Sequence, residues 1–154
     1  MARSEFAFHH RFRVRWSETD AQGVVFNARY LDYADVAVTE YWRAAKFRDY
    51  ADGAPLEFHV KKATVTWFAP IKPDELIDVM ARTVATGRTS MTQIVEIHGI
   101  TEDGSDDLRA TVDLVSVHVD LDTHRPIPLP HWVKDVFLNF DQQATTPAAV
   151  MADA

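Results

Sequence analysis

The chain of 154 residues contains no cysteine. That excludes a disulfide framework, a cysteine nucleophile and any zinc site built on thiolates, and it fits a reducing compartment. Glycine is scarce, with five in the whole chain, so a glycine in a turn says something about backbone shape. Neither an apolar run of membrane-spanning length nor a secretory leader is visible, which predicts a cytoplasmic protein with no membrane partner. Basic residues are also in deficit: 16 Lys and Arg stand against 23 Asp and Glu, for a formal net charge of −7. Nucleic-acid binding wants the opposite balance, so no nucleic-acid partner is expected. A polyanionic small molecule stays admissible, because a local basic patch overrides the mean field. Arg11, Arg13, Arg15, Lys61, Lys62, Arg82, Arg88 and Arg109 are the cations available for one. Of the histidines, His9 and His10 point to opposite faces of a strand, and His59, His98, His118, His124 and His131 are scattered. No metal site is expected from them.

What is present is enough for one core. Apolar residues make up 47% of the chain, in keeping with a single domain of this length. Residues 8 to 16 alternate, with Phe8, His10, Phe12, Val14 and Trp16 on one side and His9, Arg11, Arg13 and Arg15 on the other. This reads as a half-buried strand. From Ala28 to Lys46 the period becomes helical: Ala34, Ala37, Val38, Tyr41, Trp42 and Ala45 form an apolar stripe against Asp32, Asp35, Thr39, Arg43 and Lys46. Four strand-like runs follow near 57–69, 76–86, 91–101 and 108–120, and Glu102-Asp103-Gly104-Ser105 is a hairpin turn between the last two. Residues 130–140 read as a short terminal helix. The domain is placed at 1–141, and 142–154 is expected to be a loose tail. The fold class is α+β, a helix packed on an antiparallel sheet.

The densest chemical signal is the stretch from Trp16 to Tyr30. Two acidic residues, Glu18 and Asp20, precede Gly23 and a short apolar run, and then the helix begins. A carboxylate in a loop facing a helix N-terminus stands opposite free backbone N–H groups, which suits acyl hydrolysis. Asp20-Ala21-Gln22-Gly23 is also an ordinary type I turn, and Asn27 is an ordinary helix cap. Glu18 is read as shaping the loop.

The segment Arg15 to Arg43 resembles the opening of the 4-hydroxybenzoyl-CoA thioesterase family of hotdog-fold proteins. The matching residues are Glu18, Asp20, Gly23, Val24, Val25, Phe26 and Tyr30. Trp67-Phe68-Ala69-Pro70-Ile71-Lys72-Pro73-Asp74-Glu75-Leu76 and Gly87-Arg88-Thr89-Ser90 resemble later family patterns, so the likeness covers most of residues 8 to 130. The resemblance implies a hotdog, a curved antiparallel sheet wrapped around one long central helix, and an acyl-CoA thioesterase. It implies Asp20 as the catalytic carboxylate, acting as nucleophile or as base on a water, with Gly23 tightening the turn. A backbone N–H at Phe26, Asn27 or Ala28 would be the oxyanion donor. Many relatives carry histidine where this chain has Asn27, which leaves a backbone role and removes a proton-relay role. Arg88, Thr89 and Ser90 would meet the phosphates of coenzyme A, and Phe26, Tyr30 and Tyr33 would line an acyl pocket. A second branch of hotdog thioesterases uses a helix carboxylate, which makes Asp32, Asp35 and Glu40 reserve candidates. The implied partners are the acyl-CoA substrate and a second copy of the chain, as a homodimer or homotetramer. No cofactor is implied beyond the CoA moiety of the substrate. Two alternatives remain open at this level: a thioesterase for acyl-carrier protein, and an acyl-CoA-binding hotdog without catalysis.

Overall fold

The computed structural model describes residues 1–144. In chain order the main elements are β1 (Phe8–Arg13), α1 (Arg29–Ala44), α2 (Phe47–Ala51), β2 (Glu57–Trp67), β3 (Leu76–Thr86), β4 (Ser90–Gly99), β5 (Leu108–Val119) and α3 (Trp132–Asp141). The strands form one antiparallel five-stranded sheet in the order β1-β3-β4-β5-β2. β1 and β2 lie at opposite edges, so the connection between them carries α1 across the whole face. Register shifts at Val60/Lys62, Thr83/Ala85 and Ile97/His98 interrupt the ladders, and bulges of this kind bend a sheet around what it covers. The result is the expected curved sheet around a long helix.

The helix is held by its buried stripe, Tyr30, Tyr33, Ala34, Ala37 and Tyr41, at spacings of three and four. The small alanines bring the helix axis close to the sheet, and Ala37 is fully buried. Val38 and Trp42 belong to the same apolar stripe in the sequence but are only half-buried, because no element among the described residues covers the β2 side of the concave face. Phe47 of α2 stacks on Phe137 of α3 at 5.3 Å and meets Trp42 of α1 and Phe58 of β2, closing one end of the core.

Three expectations need correction. The first strand ends at Arg13 rather than at Trp16: Val14 donates its N–H to Glu75 O at 2.9 Å and the chain then turns through Trp16–Glu18. Trp16 is therefore 72% exposed. Asn27 does not cap α1, because Ala28 already has helical angles (φ −68°, ψ −22°) and no side chain caps the end. Arg11 and Arg109 do not stand free for a phosphate; Arg11 pairs with Asp78 and Arg109 with Glu75 and Asp107. Burial works against the charge of Asp78, yet Arg11 and Arg3 together hold its carboxyl below the ordinary value. The turn at Thr101–Ser105 has Gly104 at φ +73°, as a tight β4–β5 connection requires.

Of the expected tail, residues 142–144 form a turn closing α3, and 145–154 lie outside the described residues. No helix among the described residues is long and apolar enough to cross a membrane.

Candidate active site

Asp20 sits at the head of a tight hairpin. Thr19 and Val25 form an antiparallel bridge. Inside it the Asp20 N–H donates to Val24 O (2.9 Å) and the Gly23 N–H to Asp20 O (3.0 Å). Gly23 closes the loop at φ +75°, a conformation that a side chain would strain. One carboxylate oxygen of Asp20, Oδ1, accepts the Gln22 N–H at 2.8 Å; Oδ2 has no hydrogen-bond partner among the described residues. The loop thus fixes the carboxylate through its own backbone and leaves one oxygen for chemistry. Glu18 shapes the turn before it: Oε1 accepts the Arg15 N–H at 2.7 Å.

The helix entry selects among the expected oxyanion donors. Phe26 N–H is committed to Glu18 O at 2.9 Å, so it is no longer a candidate. Arg29, Tyr30 and Leu31 donate three residues back, to Phe26 O, Asn27 O and Ala28 O. This tight first turn leaves the N–H groups of Asn27 and Ala28 without an acceptor among the described residues. The Val25 N–H, bonded to Ile71 O at 2.8 Å, ties the hairpin to the chain after β2.

The aromatic candidates divide. Phe26 is 49% exposed, as are Trp67 (48%) and Phe68 (58%) at the same end of the sheet. Tyr30 and Tyr33 are buried core, and Tyr30 meets Trp67 edge-on at 5.9 Å. Burial, and then the Glu18 carboxylate, push the Tyr33 hydroxyl well above its ordinary pKa, so it stays neutral. Phe26, Tyr30 and Tyr33 do not line the cleft beside α1. That cleft, about 830 Å³, runs between α1 and the β2 side of the concave face, past Leu31, Asp35, Val38, Trp42, Phe58, Gln93 and Leu114. Of the reserve carboxylates only Asp35 lines it; Asp32 pairs with Arg29 and Glu40 with Arg43. The cleft residues Leu31, Val38 and Trp42 escaped the sequence as a site. Their spacing was the signal: 31, 38 and 42 form a second row beside the core stripe.

Arg88, Thr89 and Ser90 are not brought to Asp20 within one chain. They occupy the β3–β4 turn, whereas the Asp20 hairpin adjoins the other end of β3 through Val14 and Glu75. An eleven-residue strand separates them by about 33 Å. Thr89 and Ser90 instead line a pocket of about 340 Å³ with His59, Lys61 and His124. Among the described residues no group of three or more acidic or imidazole side chains is placed to hold a metal ion.

Comparison with known proteins bears on the family and the fold. A family model, the thioesterase-like superfamily, matches residues 14–137. The acyl-CoA thioesterase YbgC of Haemophilus influenzae is 31% identical over 135 residues, covering 81% of this chain and 90% of that protein. An Escherichia coli acyl-CoA thioester hydrolase YbgC is 34% identical over 80 residues; the match spans 51% of this chain and 60% of that relative's length. Among solved structures, a Thermus thermophilus thioesterase complexed with coenzyme A and zinc superposes with a TM-score of 0.74 at 25% identity, covering 90% of this chain and 97% of that one. A mutant 4-hydroxybenzoyl-CoA thioesterase complexed with 4-hydroxybenzoyl-CoA has the same fold, with a TM-score of 0.74 at 15% identity over 84% of this chain and 97% of that one. A curved sheet wrapped on its helix, a family model covering most of the chain and a relative matched over nearly its full length lead to one conclusion: the chain belongs to the thioesterase-like superfamily of hotdog proteins.

Proposed function

We propose that the protein hydrolyses an acyl-CoA thioester to a carboxylic acid and free coenzyme A. One observation carries this reading: a carboxylate with an open oxygen, Asp20, heads the hairpin that runs directly into a helix start whose Asn27 and Ala28 N–H groups have no acceptor among the described residues. In the reaction Asp20 attacks the thioester carbonyl, or takes the proton of a water that does. The C=O electrons move onto the carbonyl oxygen, and the two N–H groups donate to it as it gains charge. One well-placed donor of this kind typically lowers the barrier by about 3 kcal/mol. The oxyanion then collapses, the C–S bond breaks, and CoA thiolate leaves; where Asp20 itself has attacked, water then cleaves the acyl–Asp20 anhydride, releasing the acid and restoring the carboxylate. The thiolate is a stable leaving group, so the side chain of Asn27 has no proton to deliver. Gly23 keeps the loop tight enough for the carboxylate to stay in place.

The reading includes a second copy of the chain. β2 is a long, exposed edge strand, and such an edge favours pairing. Antiparallel pairing of two β2 strands would set the Glu57 end of one copy beside the Trp67 end of the other. The partner's Thr89–Ser90 pocket, with Lys61 and its histidines, would then approach the Asp20 end. A phosphate-bearing substrate spanning both fits that arrangement, and a tetramer follows if two such pairs stack.

The test is release of free CoA thiol from a panel of acyl-CoAs, with the same acyl groups on a carrier protein in parallel. Release from the CoA series supports the reading. Release only from carrier-protein thioesters would move the substrate to that class, and binding of acyl-CoA without release from either would overturn hydrolysis.

A further inference from the structure

Five polar side chains on the concave face, Trp42, Gln93, Thr83, Tyr41 and Asp141, form one connected series that the proposed chemistry does not use. Trp42 on α1 donates its indole N–H to Gln93 Oε1 at 2.9 Å, and Gln93 Nε2 donates to Thr83 Oγ1 at 2.9 Å. Thr83 Oγ1 lies 3.1 Å from Tyr41 Oη, whose proton is shared between the carboxylate oxygens of Asp141 at 3.0 and 2.9 Å. The Thr83 backbone N–H reaches both Tyr41 Oη and Asp141 Oδ2 at 3.1 Å. Thr83 and Gln93 are paired across β3 and β4, so the middle of the series is pinned by sheet register. One end, Trp42 with Gln93, forms part of the cleft wall. The other end is the last residue of α3.

The series has a direction. Indole, amide, threonine hydroxyl and tyrosine hydroxyl each donate towards α3, and only a charged Asp141 can accept without donating. A proton on Asp141 adds a donor at the α3 end. Tyr41 Oη faces both carboxyl oxygens, so the carboxyl can donate to it while Tyr41 donates to Thr83 Oγ1, and the order then reverses. The Thr83 proton, with the Gln93 amide already donating to that oxygen, is left without an acceptor. A buried polar group in that position is costly, so the Gln93 amide must turn, and Trp42 loses the acceptor that holds it.

We propose that Asp141 is a positioning residue for the cleft: acting through Tyr41, Thr83 and Gln93, it holds the Trp42 indole in the wall and thereby sets which acyl groups the cleft takes. This rests on the thioesterase reading for its substrate and on hydrogen-bond geometry for its device. The groups facing Asp141 from the packed elements are Tyr41 of α1 and Arg82 and Thr83 of β3. The Arg82 guanidinium is engaged with Glu5 O. Burial outweighs these partners and pushes the Asp141 carboxyl up to about 6, so ordinary changes of pH reach it.

Two measurements test the proposal. The first needs no substrate: the Trp42 indole N–H signal of the uniformly labelled full chain, assigned by its loss in Trp42→Phe, is followed by NMR from about pH 8 to about pH 5. It should shift with a midpoint near that of Asp141, and the shift should vanish in Asp141→Asn and in Gln93→Leu. The second compares straight-chain acyl-CoAs from acetyl to hexadecanoyl. Leu31 and Trp42 are separated by about 16 Å of helix, so long chains meet the indole and short ones do not. Asp141→Asn should change the ratio of kcat/KM between the longest and shortest substrates by about fivefold or more, and Trp42→Phe should change it without adding to the effect in the double variant. An indole signal indifferent to pH and to Asp141→Asn in a folded protein overturns the proposal. So does an Asp141→Asn profile that scales all chain lengths alike. If the unaltered protein releases no CoA, the thioesterase reading fails, and the indole titration still decides the relay.

Discussion

Asp20 is placed by its backbone: its own amide, the Gly23 turn and one Asx bond to Gln22 hold the carboxylate without any partner side chain. The spacing of Asp20 and Gly23 made this loop legible, because a type I turn needs little more than those residue types. The role of Asn27 was not legible. Cap preference is a statistical property of helix starts in the extended conformation, and here the chain is already helical at Ala28, while the N–H groups ahead of Asn27, on Arg29 and Tyr30, are bonded to Phe26 O and Asn27 O. Gly23→Ala separates loop strain from packing. A Cβ there meets nothing within 4 Å, so the cost is conformational, about 1 kcal/mol, or a Tm lower by about 2–4 °C. Thermal melts with thiol release should show turnover falling further than this small loss of stability explains. Unchanged turnover would mean that the tight loop does not position Asp20.

At the scale of elements, strand alternation and the α1 stripe were readable because their periods report which face is buried. The half-exposure of Val38 and Trp42 was not, since it comes from the cleft that both residues line. The contact that ties α3 to the sheet was equally hidden: nothing local marks Asp141 as buried beneath Tyr41. It has a measurable consequence for stability. Burial raises its pKa to about 6 in the folded chain, against about 3.9 when unfolded. The folded state therefore binds the proton more tightly, and stability from this group is full below about pH 4 and lost as pH rises through about 6. The two-unit gap corresponds to about 3 kcal/mol for this side chain. Urea unfolding should show stability rising as pH falls from 7 to 5, and Asp141→Asn should flatten that slope. A slope that survives the substitution would assign it to other groups.

For the whole molecule, the hotdog architecture was legible from the order of one strand, one helix and four strands together with the family resemblance, while the arrangement of its proposed site was not. Asp20 and Arg88 lie on one chain, but the sheet holds them at opposite ends, and the proposed pairing of two copies on β2 would bring such ends together. Thr64 and Thr66 are exposed along that edge. Replacing both with glutamate would set like charges against each other across an antiparallel pair. Sedimentation should show the unaltered chain as a dimer or larger and the Thr64→Glu, Thr66→Glu variant shifted towards monomer with its CoA-thioester hydrolysis lost. A variant that hydrolyses normally as a monomer would contradict a site shared between copies. The central claim, however, rests on a single carboxylate, and its most direct test is the rate of CoA thiol release by Asp20→Asn beside the unaltered chain on the preferred acyl-CoA. The account predicts a fall in kcat of about a hundredfold or more, with the fold, the oligomer and binding of the thioester retained; near-normal turnover by Asp20→Asn would contradict it.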